Sequence, residues 1–252
     1  MHVNGIIAEY NPFHNGHKYQ LDISRQLTGA EYTVVAMSGN FVQRGAPAMI
    51  NKYIRARMAL ENGADLVLEI PSFYACGSAE YFATGAVSLL DKLGVITTLC
   101  FGSECGDIDI LTQTGRLLFE EPAEFRRILN EKLEQGLSFP AARSHALCTV
   151  MSTDADEIFS CPNNILGMEY IKALNRIGSN IKPFTIKRAG ADYHDHRLNG
   201  SQASASALRK AMAEETNPEH LQKDLILFIL DVMLFKQLTK MNRCIVLEAI
   251  LT

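Results

Sequence analysis

Four short apolar runs, separated by segments of helical periodicity, constrain the fold of this chain more than anything else in it. They are "VNGIIAEY" from Val3, "YTVVAMS" from Tyr32, "DLVLEIP" from Asp65 and "TTLCFGSE" from Thr97. None has the sustained polar-apolar alternation of a strand with one wet face. Strands this apolar belong in a parallel sheet covered on both sides. Helices are predicted between them, from His17 to about Leu27, over "AMINKYIRARMALENGA" ending at Gly63, and around Ala79–Leu93. The alternation predicts βαβ units, and hence an α/β fold with a doubly wound parallel sheet.

From Asp107 to Val150 the pattern turns helical, with "PAEFRRILNEKLEQG" as its amphipathic piece, which predicts a helical insertion or layer. A helix over "NNILGMEYIKALNRIG" and a fifth strand in "NIKPFTIKRAG" follow, and "SASALRKAMAEE" (204–215) opens a further helix at a serine cap. Near Asn217 the composition becomes strongly apolar. The chain therefore divides into a domain at 1–215 and a short helical tail at 216–252. The tail's strongest run, Leu225 to Phe235, is too short to cross a bilayer and carries Asp231, so it reads as a buried or interface helix, with no membrane partner. An apolar helix face of this kind seeks a partner, and a second copy of the chain (a homo-oligomer) is one.

Charge and cysteine usage exclude some classes. The net charge of -4 rules out a whole-molecule basic clamp for nucleic acid, so any such contact must be local. Residues 182–210 supply a local excess: Lys182, Lys187, Arg188, Arg197, Arg209 and Lys210 against Asp192 and Asp195. Tyr193, His194 and His196 add rings for base stacking. The six cysteines form no C-x-x-C pair, which argues against a zinc or redox motif and suits a reducing cytosol. No basic start followed by an apolar stretch marks a signal peptide, so a cytoplasmic location is expected.

The candidate site is "AEYNPFHNGH", Ala8 to His17, directly after the first strand. Ligands of doubly wound sheets bind outside the carboxyl ends of the strands. The glycine is expected to let a helix start close to the strand, and a helix N-terminus offers free N–H groups to phosphate. His14 and His17 are placed to donate hydrogen bonds to phosphate oxygens as charge develops, and Lys18 to add charge. A plain capped turn with two surface histidines is the alternative, and the position after an apolar first strand weighs against it.

"HNGH" resembles the H-x-G-H signature of the nucleotidylyltransferase superfamily, whose Rossmann-like fold (HUP type) is shared with class I aminoacyl-tRNA synthetases. The resemblance implies attack on the α-phosphate of ATP with release of pyrophosphate. "SASALR" is similar to the later S-[ST]-x-x-R signature, which implies that Ser206 and Arg209 meet the ATP phosphates; ordinary helix capping is the alternative.

Longer blocks narrow the match. "GIIAEYNPFHNGH", "MSGNFVQRGAPA", "GADLVLEIP", "FGSE", "PNNILG" and "IKRAGADYHD" are similar to the bacterial tRNA(Met) cytidine acetate ligase family, from about residue 3 to 212. That resemblance implies activation of acetate by ATP as acetyl-adenylate. It further implies acetyl transfer to N4 of the wobble cytidine of elongator tRNA(Met). The implied ATP contacts are Ile7, Ala8, Glu9, Tyr10, Asn11, Pro12, Phe13, His14, Asn15, Gly16, His17, Lys18, Tyr19 and Gln20, with Gly102, Asn163 and Arg188. Gly102 ends an apolar strand where a Cβ would block close approach, Asn163 follows Pro162 and can cap a helix, and Arg188 follows the fifth strand. In the loop after strand two, Asn40, Gln43 and Arg44 are candidates to orient the small acid or the cytidine, with a purely structural loop as the alternative. Magnesium is expected with ATP, bound through phosphates, and no metal-ligand cluster is visible. Family members are longer, with a helical C-terminal region that helps hold tRNA, and the tail here does not resemble it. Two other functions fit the same signatures. One is a cofactor-type adenylyltransferase; the other is a non-catalytic nucleotide- or RNA-binding form.

Overall fold

The computed structural model describes residues 1–188 and the backbone of Leu247–Glu248. The predicted helix over 204–215, the tail helix at 225–235, and Ser206 and Arg209 lie outside the described residues. The strands are β1 (Val3–Ala8), β2 (Tyr32–Ser38), β3 (Leu66–Ile70), β4 (Thr98–Ser103), β5 (Lys182–Lys187) and β6 (Leu247–Glu248). They form one sheet in the order β5-β4-β1-β2-β3-β6, with every neighbouring pair parallel. The order reverses at β1, since β2 and β3 lie on one side of it and β4 and β5 on the other. A reversal of this kind opens a crevice at the carboxyl ends of the strands on either side. β6 departs from the predicted helical tail: Leu247 pairs with Leu68 and Glu248 with Glu69.

The helices are α1 (Asn15–Thr28), α2 (Lys52–Glu61), α3 (Ser72–Ala75), α4 (Ala79–Lys92), α5 (Ile108–Glu120), α6 (Ala123–Glu134), α7 (Phe139–Met151), α8 (Asp156–Ser160) and α9 (Pro162–Ile177). The strands' period of two sorts the core into two layers. Val3, Ile7, Val34, Ala36, Leu68 and Ile70 face a layer holding Phe82, Ala86 and Leu90 of α4, Leu111 of α5 and Met168 and Ile171 of α9. Ile6, Val35, Met37 and Val67 face the other way, onto Leu21 of α1 and Ala56 and Ala59 of α2. This is why the strands read as continuously apolar: both faces are covered.

Most predicted elements are present, with shifted ends. β1 stops at Ala8 rather than Tyr10, because Tyr10 takes a left-handed φ of 49° that no strand continues through. α1 begins at Asn15 rather than His17 because His14 caps it. α2 begins at Lys52, with Asn51 accepting the Tyr53 N–H, so residues 48–51 are loop. The short α3 and a single 3-10 turn at Gln43–Gly45 were not predicted; neither is long enough to show a period.

Candidate active site

Everything proposed for the site that the structure describes lies at the carboxyl edge of the sheet. After β1 the chain turns through Tyr10 and a cis Asn11–Pro12 bond into α1. There the H-x-G-H stretch closes on itself. The His14 Nδ1 accepts the Gly16 N–H at 3.1 Å, and the His17 Nδ1 accepts the His14 N–H at 3.3 Å. The two rings stack with centroids 3.8 Å apart. Gly16 is needed for this, since a Cβ there would sit 2.9 Å from His14 Cε1. The glycine thus makes room for the first histidine's ring, where the sequence suggested room for a ligand. With both Nδ1 atoms accepting, a neutral ring carries its proton on Nε2, so each histidine is set as an Nε2–H donor.

Burial holds the His17 pKa well below its ordinary value of 6.5, and the nearby charges of His14 and Arg188 lower it further. Tyr10 and Phe13 pack the other sides of the ring at centroid distances of 4.8 and 5.7 Å. His17 is therefore a neutral donor at pH 7, of fixed tautomer, at a helix N-terminus.

The remaining residues of the stretch divide by direction. Ile7, Tyr10 and Phe13 bury their side chains in the core, so only their backbone is available to a ligand. Ala8 and Pro12 shape the turn, and Asn15 and Gly16 open the helix. The Asn11 Oδ1 accepts the Met49 N–H at 2.8 Å, and the Glu9 Oε1 accepts the Gln43 N–H at 2.9 Å. Both bonds fasten the loop after β2 to the loop after β1. Lys18 points along the outside of α1 and pairs with Asp22 at 2.9 Å, and Tyr19 is exposed, so neither is gathered with the histidines. Gln20 lies one residue further along α1 and is half-buried.

Across the crevice, Gly102 of β4 lies under Arg188, where a Cβ would approach the Arg188 Cγ to 3.2 Å. The Arg188 N–H continues the β4–β5 pairing by donating to the Ser103 carbonyl at 2.9 Å. Its charge acts on His17, so β1, β4 and β5 converge on one place.

Asn163 is held differently from the expectation of a helix cap. It is the second residue of α9, behind Pro162, and Cys161 is the cap. Glu104, just past β4, takes the capping role from outside the helix. Its carboxylate accepts the Asn163 Nδ2 at 2.6 Å, the Asn163 N–H at 3.3 Å and the Asn164 N–H at 2.9 Å. The Asn164 Oδ1 returns the bond, accepting the N–H groups of Glu104 and Cys105 at 2.9 and 3.2 Å. No local pattern announces this lock, because its halves lie 59 and 60 residues apart.

The loop carrying Asn40, Gln43 and Arg44 is a small self-bonded tongue. The Ala48 N–H donates to the Asn40 carbonyl and the Val42 N–H to the Ala46 carbonyl, each at 2.9 Å. Arg44 stands exposed at its tip with a left-handed φ of 68°. Beneath the tongue is a buried charge cluster that sequence reasoning missed. Arg55 of α2 is 0% exposed and donates to the carbonyls of Glu9, Gly39 and Ile50. Burial lowers its pKa to about 10, against the raising influence of Glu9 and Glu69. Lys52 meets Glu69 at 2.6 Å, with both side chains about one-tenth exposed. The available signal was two cations three apart on the face of α2 that also carries Ala56 and Ala59.

Among the described residues no group of three or more His, Cys, Asp or Glu is placed to hold a metal, and no helix is long and apolar enough to cross a membrane.

Comparison with known proteins agrees with this geometry. The family model "HIGH Nucleotidyl Transferase" matches residues 1–246. The tRNA(Met) cytidine acetate ligase of Clostridium kluyveri is 47% identical over 240 residues, covering 92% of this chain and 59% of that protein. That of Acetivibrio thermocellus is 52% identical over 212 residues, covering 83% and 51%. The crystal structure of Thermotoga maritima TmcAL bound with alpha-thio ATP superposes with a TM-score of 0.84 at 43% identity, covering 93% of this chain and 55% of that one. The chain spans between half and three-fifths of the length of these relatives. An all-parallel sheet reversing at β1, a two-histidine box closing α1 at that reversal, and a family match along nearly the whole chain lead to one conclusion: this chain belongs to the HIGH nucleotidyl transferase family.

Proposed function

We propose that this chain carries the nucleotide-activating centre of an ATP-dependent tRNA(Met) cytidine acetate ligase. In that reaction an acetate oxygen attacks the α-phosphorus of ATP and pyrophosphate leaves. N4 of the wobble cytidine of elongator tRNA(Met) then attacks the acyl carbon of the acetyl-adenylate, and AMP leaves. No protein nucleophile is needed. The observation that carries the reading is the paired, tautomer-fixed histidine donors at the N-terminus of α1. Neutral N–H donors aimed where charge grows stabilise a phosphoryl transition state more than its ground state. Arg188 over Gly102 supplies the cation on the facing wall, and Asn163 the polar group beyond it. Ser206 and Arg209, outside the described residues, are assigned to the phosphates by the resemblance alone.

Asn40, Gln43 and Arg44 are assigned to the acid or the cytidine, because Glu9 and Asn11 fasten their loop to the loop that leads into the histidine box. Magnesium is proposed to accompany ATP, bound through the triphosphate oxygens. The family names fit a protein of the cytoplasm acting on RNA. The test is pyrophosphate release from ATP, measured with and without acetate and then with tRNA(Met). Acetate-dependent release supports acyl-adenylate chemistry. ATP binding with no release under any combination refutes it and leaves a non-catalytic nucleotide-binding protein.

A further inference from the structure

We infer that Arg55 is a positioning residue that sets the tongue at 39–48, and through it the carboxylic-acid substrate, against the nucleotide. The inference rests on the function proposed above. One guanidinium joins three backbone segments: the carbonyl of Glu9 after β1, that of Gly39 after β2, and that of Ile50 before α2. The three bonds come from three different nitrogens of the planar guanidinium, a spread that the single nitrogen of an ammonium does not have.

The tongue needs such a tie. Its backbone-to-backbone hydrogen bonds run within 40–48, so it is stiff internally and its placement depends on ties to the rest of the domain. What fixes it to β1 is Arg55 from below and the Asn11 and Glu9 side chains from the side. Gly39 is part of the same device. A Cβ there would lie 2.0 Å from the Glu69 Oε1, so the carboxylate paired with Lys52 is seated directly against Gly39. The histidines' Nδ1 bonds close within residues 14–17, so their tautomers do not depend on Arg55. Tyr10, which follows the Arg55-bound Glu9 carbonyl and packs on the His17 ring, links the two. Disturbing Arg55 is therefore expected to move the acid side of the site more than the nucleotide side.

The experiment uses the full chain with two conservative variants, Arg55→Lys and Gly39→Ala. The first keeps the charge and loses the fork; the second keeps the guanidinium and pushes Glu69 away from the Gly39 peptide that the guanidinium holds. For each, ATP affinity is measured by equilibrium binding and pyrophosphate release by acetate titration with tRNA(Met) present. Both variants are expected to bind ATP within about threefold of the parent, while KM for acetate rises tenfold or more and saturating acetate recovers most of kcat. An unchanged acetate KM, or an ATP affinity that falls in step with turnover, overturns the inference. So does loss of folding in both variants, which assigns the cluster to stability alone. The parent run alongside separates the two failures: if it shows no acetate dependence, the proposed function fails, not the role of Arg55.

Discussion

Removing the Glu104 carboxylate tests how the far wall of the site is held. That carboxylate accepts two backbone N–H groups at the start of α9 and the Asn163 amide, at 2.9, 3.3 and 2.6 Å. Glu104→Ala leaves these donors to water in a half-buried place. Loss of a helix cap costs about 1 kcal/mol, and a hydrogen bond to a charged acceptor about 1.5–3 kcal/mol where buried. Partial exposure puts the sum at the low end, about 2–3 kcal/mol. For a domain of this size each kcal/mol lowers Tm by about 2–4 °C, so a fall of about 4–12 °C is expected. Glu104→Gln keeps an acceptor oxygen and is expected to lose about half as much. The assay is thermal unfolding followed by far-UV circular dichroism, with urea midpoints as a check. Asn164 answers Glu104 through its own Oδ1, so Asn164→Ala combined with Glu104→Ala is expected to cost less than the sum of the two. A Tm for Glu104→Ala within about 1 °C of the parent refutes the lock as described.

Three further outcomes are expected. His17→Ala should fold and bind ATP, yet release pyrophosphate about 10²–10³-fold more slowly, as loss of a transition-state donor does; unaltered single-turnover rates would remove His17 from the chemistry. Because the folded pKa of His17 lies well below 6.5, the unfolded chain takes up its proton first as pH falls. Stability should therefore be full above pH 6.5 and drop by up to about 1.4 kcal/mol per pH unit below it, until the folded pKa is reached. Urea midpoints between pH 7.5 and 5 measure this, and His17→Asn should flatten the slope; an identical slope in the variant sinks the assignment. Gly115→Ala drives a Cβ to 2.6 Å from Ile171 Cγ2 where α5 and α9 touch, and should lower stability by about 1–3 kcal/mol in the same assay.

The parts of the fold that were legible in the sequence are those governed by local period. Strands buried on both faces announce themselves as apolar runs, and Val34 and Val35 are both core although they point to opposite layers. His14, His17 and Arg188 could be proposed from the sequence because they sit at strand ends or beside a signature glycine, and the structure places them past the carboxyl ends of β1 and β5. Lys18 shows what local pattern leaves open, because the face a helical side chain takes depends on neighbours three or four residues away, and here Asp22 pairs with it on the outer face. What stayed hidden is pairing at a distance. Glu104 with Asn163, Lys52 with Glu69, and Arg55 with the Glu9 carbonyl join positions 59, 17 and 46 residues apart, and no local pattern reports such partners.

The sheet order also has a consequence in time. The histidine box is complete once the first 17 residues have been made, but its neighbour strand β4 begins at Thr98 and Arg188 closes the opposite wall. Parallel neighbours separated by such long loops pair late, after much of the chain is available. A nascent chain emerging from the ribosome thus presents the histidine loop long before it can present a binding cleft. On the proposed function, nucleotide could stabilise the folding chain only once β5 has docked beside β4, which would make that strand the step that commits the domain to its ligand.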